Sequence, residues 1–115
     1  MRNDKENIIV NKTFCFALEI VKFCEILEEN RKFIVARQLL KAGTSIGANV
    51  REAQNAESKD DFIHKIKIAA KEADETEYWL LICKESDSYP SNEKLLSDVE
   101  EIIKILTKII SSSKS

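Results

Sequence analysis

The sequence predicts an all-α protein, an antiparallel up-and-down four-helix bundle. Apolar residues recur at helical spacing in four stretches. Only one proline and two glycines interrupt 115 residues, too few turns for a sandwich or barrel. The connections are short and polar, so consecutive helices run antiparallel. The expected organisation is a single domain over residues 1–115, with helices over about 13–29, 33–55, 59–84 and 92–110. Tails at 1–10 and 111–115 are expected to fray.

In the first helix Glu19, Lys22, Glu25 and Glu29 mark one solvated stripe. The rest is apolar and forms two seams, Phe14, Ala17, Val21 and Cys24 beside Phe16, Ile20, Phe23 and Leu27. One helix of a monomeric bundle needs only a stripe of roughly 100°. Two adjacent seams therefore point to self-association.

The second helix turns Ala36, Leu39, Gly43, Ile46, Val50 and Ala53 inward. Gly43, Gly47 and Ala48 lack bulk, which lets another helix approach closely. Each glycine costs about 1 kcal/mol relative to alanine, so packing must offset it. A break at Gly43-Thr44-Ser45 is the alternative, but the inward spacing stays in phase across the glycines.

Ser58 followed by Asp61 is a capping-box-like start for the third helix. Its inner seam is Phe62, Ile66, Ala69, Ala73, Thr76 and Leu80. Beside it runs a second row, Lys65, Ile68, Glu72, Glu75, Trp79 and Ile82. Large apolar residues mixed with carboxylates suit an interface between subunits. Ser86 to Pro90 forms a turn, and the fourth helix points Leu95, Val99, Ile102, Leu106 and Ile109 inward.

A charged fraction of 33 % beside 43 % hydrophobic residues is that of a folded, soluble protein. The longest uncharged stretch, Ala42 to Val50, is far below the roughly 20 residues of a membrane span. No signal peptide is legible, and three scattered cysteines (Cys15, Cys24, Cys83) suit reduced, buried thiols in a cytoplasm. The net charge of −2 is unevenly spread. Residues 31–71 hold nine Lys/Arg against four Asp/Glu, while both flanks are acidic. A basic middle points to an anionic partner.

Chemistry beyond binding finds little support. Asp61-Phe62-Ile63-His64 resembles the carboxylate-x-x-His element of di-iron bundles, which needs that element twice, and this chain has one histidine. Clustered Cys/His for zinc, a phosphate loop and an activated nucleophile beside His64 are lacking as well. The expectation is no catalysis, no metal and no cofactor. Arg37, Lys41 and Arg51 point away from the inner seam of the second helix, and Lys59, Lys67 and Lys71 lie on the outer side of the third. These six form a candidate phosphate-contacting patch, set against the ordinary solvated helix face. No aromatic platform accompanies it, which argues against base-specific reading.

The stretch Ala42 to Leu81 resembles the four-helix-bundle family of 23S rRNA-intervening-sequence proteins, with which the accessory variability determinant proteins of diversity-generating retroelements are grouped. The likeness rests on Ser45-Ile46-x-x-Asn49-Val50-x-Glu52-Ala53, Ser58-x-x-Asp61-Phe62 and Glu72-Ala73-x-Glu75-Thr76-x-Tyr78-Trp79-Leu80. The resemblance implies an up-and-down bundle, a ring-like homopentamer and no enzymatic activity. It implies that Ser45, Asn49 and Glu52, with Glu72, Glu75 and Trp79, serve assembly and packing. In retroelement members a strongly basic surface binds nucleic acid beside a reverse transcriptase, whereas this bacterial-type chain is slightly acidic.

The leading expectation is a homo-oligomeric scaffold that binds RNA or DNA backbone as an accessory protein. The alternative is a protein–protein adaptor whose partner, a reverse transcriptase or another protein, docks on the acidic fourth helix or the Trp79 row.

Overall fold

A computed structural model describes residues 7–113. It contains four helices, α1 (Ile8–Glu29), α2 (Phe33–Ala53), α3 (Lys59–Glu85) and α4 (Glu93–Ser113). Each helix packs on its two sequence neighbours, and α4 closes back on α1. The backbones of diagonal helices stay farther apart than those of neighbours, and the bundle is square in section. Its extents are 45 × 21 × 21 Å.

Residues 8–12 belong to α1, which therefore starts earlier than the sequence suggests. Thr13, the first residue of the expected helix, sits fully buried inside the observed one. Its hydroxyl donates to the Ile9 carbonyl at 2.8 Å, so the helix itself satisfies the buried polar group. The helix ends in a Schellman turn, Lys32 N–H reaching the Leu27 carbonyl and Arg31 N–H that of Glu28, each at 2.8 Å. Arg31 takes φ 63° there, a left-handed conformation usually given to glycine.

The second helix is continuous through both glycines. It stops at Ala53 rather than 55, because Gln54 and Asn55 bond three residues back and tighten the last turn. Its start at Phe33 follows directly on the Schellman turn. The start of α3 is capped as its sequence suggests: Ser58 Oγ accepts from Asp61 N–H at 3.0 Å. The Asp61 carboxylate accepts from Glu57 N–H at 3.1 Å, one residue earlier than in the usual reciprocal box. In α4, Asn92 Oδ1 caps Leu95 N–H at 3.0 Å, and the helix runs on through Ser111–Ser113. The expected fraying at 8–10 and 111–113 is thus replaced by helix; residues 1–6 and 114–115 lie outside the described residues.

The core follows the inward seams. Ala36, Leu39, Ile46 and Val50 meet Ile66, Ala69, Ala73 and Leu80, with Leu95, Val99, Ile102 and Leu106 closing the other side. From α1 the core takes only Phe16, Ile20, Phe23, Cys24 and Leu27 of the two seams. Phe14 and Val21 stay exposed, at 54 % and 39 % of their surface. The reason is the close approach of α2. A Cβ on Gly43 would stand 2.8 Å from both γ-carbons of Ile20, and one on Gly47 would stand 3.2 Å from the Thr13 carbonyl oxygen. These contacts draw the Thr13–Ile20 line of α1 inward and leave its neighbour outside.

Candidate functional site

All six basic residues singled out from the sequence are exposed, but they do not form one continuous patch. Arg51 borders a groove between α1 and α2 of about 310 Å³, lined also by Phe14, Ala17, Thr44, Gly47 and Ala48. Lys41 lies toward α3, near enough to Glu72 to favour its ionised form. Arg37 falls between them, on the outer corner of α2. Lys59 stands at the N-terminus of α3 beside Asp60 and Asp61. Lys67 and Lys71 occupy the outer corner of α3, about a quarter-turn around the bundle from Arg37.

Between the two corners lies the mixed row of α3. Lys65, Ile68, Glu72, Trp79 and Ile82 are half-buried and Glu75 is exposed. Lys65 pairs with Glu52 of α2 at 3.7 Å and approaches Asp61 at 4.0 Å. Trp79 Nε1 donates to the Glu75 carboxylate at 3.3 Å, and Tyr78 meets the indole edge-on at 5.5 Å. Burial, then the neighbouring Glu75 carboxylate, pushes Glu72 above the ordinary carboxylate range; Lys41 opposes them. Ser45 and Asn49 spend hydrogen bonds within α2, on the carbonyls of Lys41 and Ser45.

The acidic residues of α3 split between two faces. Glu72 and Glu75 face the α2 side, whereas Asp74 and Glu77 line a groove toward α4 with Glu100, Ile103 and Lys104. Burial raises the Glu77 carboxyl, and Glu100 and Asp74 add to the rise. Periodicity alone did not reveal this groove, because Glu100 arrives from another helix. No group of three or more His, Cys, Asp or Glu among the described residues is arranged to hold a metal ion. His64 is exposed. No described helix is long and apolar enough to cross a membrane.

One expectation about the thiols needs correction: Cys15 is exposed, and only Cys24 and Cys83 are buried. The acidic stripe of α1 turns Cys15 outward with it. Burial, with Glu28 and Cys83 nearby, pushes the Cys24 thiol up to about 12, and burial pushes Cys83 up to about 11. Both thiols therefore stay protonated in the fold. An alkylating reagent should label one cysteine per native chain and three after denaturation, as mass spectrometry will count. The folded state keeps these protons where the unfolded chain loses them near pH 9. Their stabilising contribution is thus complete below about pH 9 and declines as pH rises toward the folded values.

Fold and surfaces together define an all-α bundle whose distinctive residues lie outside its core, on the faces flanking α2. The chain belongs to the 23S rRNA-intervening sequence protein family, whose model matches residues 5–108. It is similar in structure to a protein of unknown function from the S23 ribosomal protein family of Bacteroides thetaiotaomicron. The two are 42 % identical, with a TM-score of 0.85 over 90 % of this chain and 98 % of that one. No curated protein matches this chain.

Proposed function

We propose that this chain is a non-catalytic scaffold that assembles as a homopentamer and binds RNA or DNA backbone as an accessory protein. The observation that carries this reading is the exposure of large apolar and basic side chains together around α2. Phe14, Val21, Phe33, Ile34 and Leu40 remain open to water in a single chain, and self-association would cover them. Arg37, Arg51, Lys67 and Lys71 make no ion pair among the described residues, which leaves their charge available to phosphate. Repetition around an oligomer would multiply a modest patch into many contacts, offsetting the slight net acidity.

The test is binding to a labelled structured RNA, titrated at low and near-physiological salt, with the assembly's mass read by light scattering on the same sample. Binding by a pentamer-sized species, weakening steeply with salt, is expected. A pentamer that ignores RNA at both salts would favour the adaptor reading. The Asp74–Glu77–Glu100 groove and the half-exposed Trp79 row give that second reading its surfaces. A pull-down with and without nuclease separates a protein partner from one bridged by nucleic acid.

A further inference from the structure

Resting on the nucleic-acid reading above, we infer that the outer corner of α3 is a separate contact site that takes a single strand. An unpaired base stacks on Tyr78 while Lys71 and Lys67 hold the phosphates beside it.

The helical phase of α3 assembles this site. Lys67, Lys71, Asp74 and Tyr78 follow one another at intervals of four, three and four residues, so they share one stripe, and all four are exposed. The stripe lies opposite the buried seam of Ile66, Ala69, Ala73 and Leu80. From Lys67 to Tyr78 it rises about 16 Å, room for a short run of nucleotides. Trp79, the next residue, turns about 100° away and packs against the core. The basic residues of this corner therefore do have an aromatic companion, contrary to the expectation from the sequence.

The surroundings of Tyr78 suit it to a base. At 59 % it is the most exposed aromatic residue described. Trp79 meets it edge-on, ring centroids 5.5 Å apart and planes at 71°, which covers at most one face of the phenol ring. The indole is itself held by the Glu75 carboxylate at 3.3 Å, so the ring beside it is placed before a ligand arrives and loses little freedom on binding. A duplex cannot use this platform, because its bases are already paired and stacked on one another. An unpaired base brings a free face, and every base has one, so contact comes without a sequence preference.

Charge adds to stacking here without dominating it. Lys67 and Lys71 make no ion pair among the described residues and can meet phosphate. Asp74, between Lys71 and Tyr78, repels phosphate and lowers the electrostatic share. Folded RNA offers few free bases, so its binding stays governed by the basic residues of α2. What the α3 corner adds is a preference for strand that has left a duplex.

The experiment measures, by fluorescence anisotropy, the affinity of the full chain for two labelled probes: oligouridylate, which has no secondary structure, and a blunt-ended RNA duplex. Tyr78→Ala should weaken oligouridylate binding about 5- to 150-fold, the worth of one stacked base, and leave the duplex within about twofold. Tyr78→Phe keeps the ring and should bind as the unaltered chain does, whereas Tyr78→Leu, apolar but without a π-face, should bind as the alanine variant does. Lys67→Gln with Lys71→Gln should flatten the logarithmic salt slope for oligouridylate by about 1.4, two contacts at about 0.7 each. Asp74→Asn should tighten binding. Oligouridylate binding that is absent, or unchanged in Tyr78→Ala, or equal in Tyr78→Leu and Tyr78→Phe, overturns the platform while duplex binding through α2 stands. A fall in assembly mass with Tyr78→Ala, read by light scattering, also overturns it, since Tyr78 is then a contact between copies. An unaltered chain that binds neither probe overturns instead the nucleic-acid reading on which the site rests.

Discussion

Gly43→Val should lower the stability of this protein by about 3 kcal/mol, the upper end of the cost of overpacking a core. A side chain at position 43 begins with a Cβ only 2.8 Å from Cγ1 and Cγ2 of Ile20. Those atoms branch next to the backbone of a fully buried residue and have no free direction in which to swing. Alanine tests the balance more finely. It recovers about 1 kcal/mol of helix propensity and meets the same contact, so its net cost should be about 0–2 kcal/mol. At position 47 the obstacle is the Thr13 carbonyl at 3.2 Å, a shift of a few tenths of an ångström, and Gly47→Ala should be close to neutral. Thermal melts at fixed protein concentration measure all three. For a domain of this size the valine variant should melt roughly 10–15 °C lower. Ile20→Ala creates a cavity by itself, yet combined with Gly43→Val it should restore part of the loss, a coupling of about 1–3 kcal/mol. Strict additivity of the two would show that the helices are not in contact there.

Reversing three charges, Arg37→Glu, Lys41→Glu and Arg51→Glu, should abolish binding of structured RNA at near-physiological salt while leaving the fold intact. All three side chains are exposed, so none leaves a hole or an unpaired buried group. The informative quantity is the salt slope, since each phosphate contact contributes about −0.9 to the logarithmic slope on duplex and about −0.7 on single strands. Losing three contacts per chain should flatten the slope by about 2 to 3 per bound chain. The matched pair Lys67→Glu and Lys71→Glu, on the other corner, should weaken binding much less if the α2 residues carry the phosphate contacts. Unchanged affinity in the triple variant would remove the α2 residues from consideration. Because Arg51 also borders the Phe14 groove, the triple variant's mass must be recorded alongside; Arg37→Glu alone, on the corner, isolates the charge effect from assembly.

Much of this protein was legible from local chemistry. Hydrophobic spacing placed four helices and named the inward residues of α2, α3 and α4, and the Ser58–Asp61 pair marked where α3 begins. Small residues at 43 and 47 announced a close approach without saying which helix approaches. The start of α1 was placed about five residues late, at 13 instead of Ile8, because the polar and charged stripe that marks this helix begins only at Glu19. Patterning also could not tell that the six basic residues divide between two corners, nor that Glu77 would meet Glu100. Both depend on how helices distant in sequence are set around the bundle.

What the sequence determined by itself is the helices and their apolar surplus, because period and composition are properties of each segment alone. Which of the two apolar seams of α1 becomes core was decided only in three dimensions. The glycines of α2 admit Ile20 and Thr13 at van der Waals limits, and that contact turns α1 about its axis until Phe14 and Val21 face water.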